Sequence, residues 1–263
     1  YIKMTFNFKS LKSWEINYLE LFNFNRESQL FFYFKFLKSK KFEKLKGDVV
    51  ESGVFRGKSL LTSALILNSF YKNNKKKIWG YDTFKGFPGL SDLDKKENFL
   101  KLYKLKKITK DHYNEVLKLQ KYHKAFKSSN ISAKNISTSN NFDNTSYDLI
   151  KRKIKFFKLS KKINLIKGDF KISMKNNNNL PRKISAGLID CDLSDGYKSS
   201  LQFFWPKLSL NGKLFLDEYY SLKFPGPRYI IDQFLSDNQD AKLIKEGISS
   251  SFERWSLKKI KIK

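Results

Sequence analysis

The chain of 263 residues carries a formal net charge of +28 at pH 7, from 53 basic and 25 acidic side chains. Only six of the basic residues are arginine, whose fork of donors suits phosphates and bases, so the composition disfavours nucleic-acid binding as the main function. The densest apolar run, Phe31–Leu37, is too short to span a bilayer. The single cysteine, Cys191, excludes an intrachain disulfide and favours a cytoplasmic location.

The length predicts one α/β domain with an appended helical element. Residues 1–46 are rich in aromatic residues and lysine, and we assign them to an N-terminal helical segment. We expect one or two helices over residues 11–43 that pack on the following domain or on a partner subunit, with a simple helical cover of the sheet as the alternative. The apolar surface of this segment also favours a homo-oligomer.

The segment Gly47–Ser59 predicts a short buried strand, a glycine-containing turn and the start of a helix that continues over Leu60–Leu67. Glu51 stands at the end of the strand, while Gly53 and Gly57 lack the Cβ atoms that would obstruct a ligand. The glycine spacing matches neither the dinucleotide fingerprint nor the P-loop. The pattern indicates a nucleotide-binding turn, with a purely structural turn as the alternative.

Four further segments are predicted to be strands, and each ends at or near a carboxylate. Ligands of open α/β sheets bind beyond the carboxyl ends of the strands, so these acids and Glu51 are expected to line one crevice. Asp82 has two compatible roles, since it can accept hydrogen bonds from ribose hydroxyls and can begin the turn that follows it. The predicted strands and acids are Lys77–Tyr81 with Asp82, Ile163–Ile166 with Asp169, Ala186–Ile189 with Asp190, and Lys213–Leu216 with Asp217.

Residues 91–141 interrupt the alternation of strands and helices. We expect a charged helical insertion over Leu93–Leu119 and a mobile loop over Ser128–Thr145, which is rich in serine and asparagine. At the mouth of the crevice, this insertion is either a lid or a surface excursion. The only two histidines, His112 and His123, lie within it and are expected on the solvated surface.

The C-terminal part of the chain completes the predicted pattern. A helix over Thr145–Phe157 leads into the third strand, and the sequence Pro225–Pro227 predicts a helix start with the helix continuing to Leu235. Alternating residues over Ala241–Ser249 and Phe252–Lys263 predict an antiparallel strand pair.

Several of these segments occur together, and in the same order, in one known family. The most specific is Tyr81-Asp-Thr-Phe-Lys-Gly-Phe-Pro88, whereas the glycine turn is common to many enzymes. The others are Gly47–Ser59, Lys167–Phe170, Leu188–Leu193, Asn211–Gly212, Asp217–Tyr219 and Phe224–Phe234. With these motifs the chain resembles the macrocin O-methyltransferase (TylF-type) family of sugar O-methyltransferases, a branch of the class I S-adenosylmethionine (SAM) enzymes.

The resemblance implies an α/β fold with a Rossmann-like class I methyltransferase sheet, mostly parallel with a terminal antiparallel strand. The methyltransferase domain would comprise residues 47–263, with the insertion at about 91–141 as a lid. SAM is the implied cofactor, with its methionine end at the glycine turn, its ribose at Asp82 and its adenosine beside the loops that follow. The implied cofactor-binding residues are Glu51, Gly53, Arg56, Gly57, Ser59, Asp82, Thr83, Phe84, Gly168 and Asp169.

The resemblance also implies catalytic carboxylates at Asp190 and Asp217, and Mg²⁺ or a similar divalent cation bound by Asp190, Asp217 and Glu218. Asp192 is a further catalytic candidate, because in an extended segment it would share a face with Asp190. A cation coordinated by carboxylates lowers the pKa of a sugar hydroxyl, which is otherwise a poor nucleophile. Glu218 stands where the family usually has aspartate, and Asp192 is a substitute ligand. The general base is unassigned among Asp192, Tyr219, Tyr220 and Lys223.

The sequence thus predicts a SAM-dependent O-methyltransferase that transfers a methyl group to a hydroxyl of a sugar, a nucleotide-linked sugar or a glycoside, assisted by a divalent metal. The basic charge would attract an anionic acceptor. Two alternatives remain at this point. One is a catalytically impaired SAM-binding partner protein, and the other is a methyltransferase acting on RNA or another polyanion.

Overall fold

The computed structural model describes residues 8–71, 75–127, 135 and 141–261. Most of the predicted mobile loop over Ser128–Thr145 lies outside these residues. Within the described ranges, seven strands form one sheet. They are β1 (Asp48–Ser52), β2 (Ile78–Asp82), β3 (Ile163–Lys167), β4 (Ile184–Ile189), β5 (Leu208–Leu216), β6 (Ala241–Ser249) and β7 (Phe252–Lys259).

The strand order is β3-β2-β1-β4-β5-β7-β6. The pairs among β1 to β5 are parallel, and β7 runs antiparallel to both β5 and β6. The predicted Rossmann-like sheet with a terminal antiparallel pair is therefore confirmed. The chain reverses its direction of winding between β3-β2-β1 and β4-β5, so the crevice at the carboxyl ends of β1 and β4 is the expected ligand site.

Helices cover both faces of the sheet, and short 3-10 turns occur at Phe8–Ser10, Asp92–Asp94, Asn177–Asn179 and Trp205–Lys207. The α-helices of the first half of the chain are α1 (Ser13–Tyr18), α2 (Phe31–Leu37), α3 (Lys40–Lys44), α4 (Lys58–Phe70), α5 (Asn98–Lys104) and α6 (Lys110–Lys127). The α-helices of the second half are α7 (Tyr147–Phe156), α8 (Phe170–Ser173), α9 (Ser194–Phe204) and α10 (Gly226–Asp237). Across residues 8–71, 75–127 and 141–261, none of the helices has the length and apolar character needed to cross a membrane.

The fifth strand is longer than the sequence predicted, because it begins at Leu208 rather than at Lys213. Its pairing with β4 shifts register between Ile184 and Ala186, and Asn211 adopts a left-handed φ of 64°. This irregularity lets β5 run through the pair Asn211–Gly212, whereas the sequence predicts that the strand begins after that pair.

The N-terminal segment packs on the sheet, in agreement with the predicted helical cover. It does so with three short helices, α1 to α3, and not with the one or two helices that the sequence predicted. The rings of Tyr33 and Phe36 lie 5.3 and 5.7 Å from the ring of Phe215 on β5. Phe34 and Leu37 are fully buried in the same core. The dense aromatic run therefore forms one hydrophobic core with the sheet rather than a separate layer.

The helices of the insertion dock on the chain that follows β5, around a small apolar cluster that includes Phe99 and Val116. His112 of α6 is only 4% exposed, which corrects the expectation of a solvated residue. Its Nε2 lies 2.8 Å from the carbonyl oxygen of Ser221, and its ring stacks on Tyr220 with centroids 4.0 Å apart. This histidine is buried because it packs against a segment about a hundred residues away in the chain. The residues next to it in the sequence do not indicate this burial. His123 is partly buried.

We expect Phe34→Ala to lower the free energy of unfolding by about 3–5 kcal/mol, because it removes a fully buried ring from the shared core. Trp14→Ala is the control, since Trp14 is 64% exposed on α1 and should change stability by about 0.5 kcal/mol or less. Urea denaturation of both variants measures the difference. Equal effects would contradict the packing of α2 on the sheet.

Candidate functional site

A cavity of about 830 Å³ opens at the carboxyl ends of the parallel strands. The turn after β1, the loops after β2, β4 and β5, and the start of α8 form its wall. This position is the one expected for the ligand site of an open α/β sheet. The predicted site residues on its wall are Gly53, Arg56, Ser59, Asp82, Thr83, Asp169, Asp190, Asp192, Asp217 and Glu218.

Four other predicted site residues lie behind this wall. Glu51 is fully buried, and Phe84 is buried with its ring against Tyr147 at a centroid distance of 5.7 Å. Gly57 is the N-cap residue of α4, and Gly168 donates its N–H to the carbonyl oxygen of Asp82 at 3.0 Å. None of these four residues is among those that line the cavity, so their contacts with the cofactor stay predictions.

The turn after β1 requires glycine at position 53. Its φ is +89°, and a Cβ atom there would lie 1.6 Å from the carbonyl oxygen of Asp190. Gly53 donates its N–H to the carbonyl oxygen of Tyr81 at 3.0 Å, and Asp190 donates its N–H to that of Ser52 at 2.9 Å. The turn is therefore wedged between the ends of β2 and β4, and only glycine fits there.

Asp82 joins the turn after β1 to the loop after β2. Its Oδ2 accepts the N–H of Phe55 and its Oδ1 accepts the N–H of Phe84, both at 2.7 Å. Burial raises the pKa of this carboxyl above its ordinary value. Each carboxylate oxygen has two lone pairs, so the group can still accept hydrogen bonds from a ligand on the cavity side. Both roles predicted for Asp82 are compatible with this geometry.

Glu51 is a buried acid beneath the cavity wall. Its Oε1 accepts the hydroxyl of Ser59 at 2.7 Å, and its Oε2 has no hydrogen-bond partner within the described residues. Burial, with a smaller contribution from Asp82, raises the pKa of Glu51 to about 8. The carboxyl is therefore largely protonated at neutral pH, and a nearby cation would favour its ionised form.

Three carboxylates that line the cavity converge at the ends of β4 and β5. One oxygen from each of Asp190, Asp192 and Glu218 lies within 4.8 Å of the others, and we call these three residues the acid cluster. Burial is the first cause that raises all three pKa values, and repulsion from neighbouring carboxylates adds to it. For Asp192 the pKa is about 7, because the nearby Lys223 opposes these effects. Such a set of oxygen donors suits a hard divalent cation.

Asp217 lies outside the acid cluster, which therefore differs in one member from the predicted ligand set of Asp190, Asp217 and Glu218. Its Oδ1 lies 3.1 Å from an Nη atom of Arg254 on β7, and the side chains of both residues are mostly buried. The antiparallel pairing of β5 with β7 brings these two side chains together. Asp192, which the sequence offers as a substitute ligand, is the third member of the cluster.

The structure separates the four residues considered as general base. Asp192 and Lys223 line the cavity. The hydroxyl of Tyr219 instead donates to Asp232 Oδ1 at 3.0 Å, and Tyr220 stacks on His112. Both tyrosines lie off the cavity wall, so Asp192 and Lys223 are the two candidates that a ligand could reach.

The N-terminal segment reaches the cavity, which sequence reasoning missed. Glu20 forms an ion pair of 2.7 Å with Arg56, and the N–H of Phe22 donates to Thr62 Oγ1 at 2.8 Å. This part of the chain therefore lies across the turn after β1, and Phe22 and Gln29 join the wall. No motif in the sequence marked either residue. Other wall residues that were not predicted are Phe55, Lys58, Phe87, Phe142 and Lys171.

Comparison with protein families confirms the resemblance stated from the sequence. A family model described as macrocin O-methyltransferase (TylF) matches residues 35–124, which contain β1, the glycine turn, α4, β2 and most of the insertion helices. No curated protein matches the chain.

Solved structures of methyltransferases share the fold. The O-methyltransferase NovP is 16% identical, with 88% of this chain and 80% of that chain covered and a TM-score of 0.60. The calicheamicin methyltransferase CalS11 is 17% identical, with coverage of 94% and 80% and a TM-score of 0.60. A further structure of CalS11, described as a TDP-rhamnose 3'-O-methyltransferase, is 18% identical, with coverage of 94% and 81% and a TM-score of 0.51. At these identities the similarity shows the shared fold.

We expect Glu51→Gln to make the free energy of unfolding less dependent on pH between about pH 5 and pH 8. The pKa of Glu51 is about 8 in the folded protein and about 4.3 in an unfolded chain. Its stabilising contribution is full below pH 4.3 and is lost as pH rises towards 8, at up to about 1.4 kcal/mol per pH unit. Denaturant titrations at several pH values test this, with the exposed Glu115→Gln as control. A Glu51→Gln profile parallel to the wild-type profile would refute the prediction.

Proposed function

We propose that this chain, which is similar to the TylF-type O-methyltransferases over residues 35–124, transfers the methyl group of SAM to a hydroxyl of a sugar or glycoside. The observation that carries the proposal is that one cavity is lined both by the glycine turn with Asp82 and by the acid cluster. The similarity of fold to CalS11, a TDP-rhamnose 3'-O-methyltransferase, supports a sugar, free or nucleotide-linked, as the acceptor.

The glycine turn and Asp82 fit SAM. Gly53 lets the turn lie against the end of β4, and the carboxylate of Asp82, which lines the cavity, would accept hydrogen bonds from the ribose hydroxyls. The unpartnered Oε2 of Glu51 would help to hold the positive charge of the methionine end through the wall. Asp169 lies on the wall at the start of α8, where the adenine would be. When bound, SAM supplies an electrophilic methyl group on a sulfonium.

The acid cluster fits a divalent cation such as Mg²⁺, which Asp190, Asp192 and Glu218 would hold. Three carboxylates with raised pKa values repel one another, and a cation between them relieves this repulsion. The Tyr197 hydroxyl donates to Glu218 Oε2 at 2.5 Å and accepts the Glu218 N–H at 3.0 Å, which fixes this carboxylate. Such an ion lowers the pKa of a hydroxyl and reduces the need for a strong base.

Calorimetric titration of SAM tests the cofactor site. We expect Asp82→Asn to weaken SAM binding by about tenfold or more, because the loss of charge weakens hydrogen bonds to the ribose hydroxyls. Asp92→Asn is the control, since Asp92 is an exposed acid on the insertion and should leave binding unchanged.

The transfer itself is tested with ¹³C-methyl SAM and a panel of free, nucleotide-linked and aryl-linked sugars. The expected result is formation of S-adenosylhomocysteine (SAH) together with a ¹³C-methoxy signal on one class of sugar. Folded wild-type protein that fails to bind SAM would overturn the proposed function. Binding of SAM without transfer to any sugar in the panel would count against the sugar acceptor.

A separate titration tests the cation site, with Mn²⁺ binding followed by electron paramagnetic resonance. We expect Asp192→Asn to weaken Mn²⁺ binding by about tenfold or more, and Asp217→Asn to have a smaller effect because Asp217 pairs with Arg254. The reverse order would return Asp217 to the ligand set and leave Asp192 as the base. Absence of Mn²⁺ binding to the wild type would remove the metal from the mechanism.

A further inference from the structure

Residues Asn141–Thr145, where the chain returns from the insertion to the core, lie at the cavity, and we call them the return limb. Phe87 donates its N–H to the carbonyl oxygen of Asn141 at 3.0 Å. Thr145 donates its hydroxyl to the carbonyl oxygen of Phe55, in the turn after β1. The return limb thus bridges two loops that each carry predicted cofactor-binding residues.

Gly86 explains how the return limb comes so close to the loop after β2. Its φ is +77°, and a Cβ atom at this position would lie 2.4 Å from the carbonyl oxygen of Asn141. Any other residue would be strained and would push the limb away. The Gly-Phe pair in Tyr81–Pro88 therefore has a physical role, because the glycine makes room for the limb and Phe87 binds it.

The ring of Phe142 sits between two other aromatic rings on the cavity wall. Its centroid lies 5.1 Å from that of Phe55, in an edge-on arrangement, and 5.1 Å from that of Phe87. The N–H of Phe55 donates to Asp82, so this aromatic group lies beside the proposed ribose site. Phe142 is only partly buried and lines the cavity, which leaves part of its ring able to contact a ligand.

We propose that Phe142 forms the outer wall of the SAM nucleoside pocket and retains the cofactor through apolar contact with the adenosine. This inference rests on the proposed function, and it assigns the insertion a part in cofactor binding. Apolar contact with the nucleoside removes ring surface from water and opposes dissociation, whichever acceptor is bound.

The test compares Phe142→Ala with Phe126→Ala by calorimetric titration of SAH. Phe126 is the matched control, because it lies in α6 of the same insertion, is 83% exposed and is off the cavity wall. We expect the dissociation constant of SAH to rise about tenfold or more in Phe142→Ala and to change less than about twofold in Phe126→Ala. Phe142→Leu keeps an apolar side chain against the neighbouring rings and should give an intermediate loss if the alanine variant is unstable.

A second ligand shows which end of the cofactor is affected. 5'-Methylthioadenosine has the nucleoside but lacks the amino-acid part, so Phe142→Ala should weaken its binding by the same factor as that of SAH. An effect on SAH alone, or SAH binding equal to wild type in Phe142→Ala and Phe142→Leu, would overturn the inference and leave the proposed function standing. Failure of the folded wild type to bind SAH would overturn both.

Discussion

The close contact between Gly53 and the carbonyl oxygen of Asp190 is the constraint on which the rest of the site depends. With no room for a Cβ atom, the turn after β1 can lie directly against the end of β4. That position brings the N–H of Phe55 to Asp82 and so fixes the loop after β2 as well. The carboxyl ends of three strands thereby form one rigid edge, and the cavity is the space beyond it.

The second organising feature is the concentration of acids at this edge in a strongly basic chain. Burial raises the pKa values of Asp82, Glu51 and the acid cluster, and repulsion from neighbouring carboxylates adds to this effect for Glu51 and the acid cluster. Arg254 forms an ion pair with Asp217, and Lys223 lowers the pKa of Asp192. Positive charge bound at this edge would favour the ionised form of these carboxyls.

Segments outside the βα core complete the cavity. The N-terminal segment contributes Phe22 and Gln29 and is held by the ion pair between Glu20 and Arg56. The return limb contributes Phe142. The core thus supplies the carboxylates of the cavity, whereas these additions supply Phe22, Gln29 and Phe142.

The sequence by itself determined the sheet and most of the polar site, because both depend on local patterns. Apolar strands that end in carboxylates place Asp82, Asp190 and their neighbours at one edge of a parallel sheet. Only the tertiary structure decided which carboxylates converge, that His112 is buried, and that Phe22, Gln29 and Phe142 reach the cavity. Each of these features depends on contacts between segments far apart in the chain, and no local sequence pattern encodes such a contact. One example is the pairing of β5 with β7, which brings Arg254 next to Asp217.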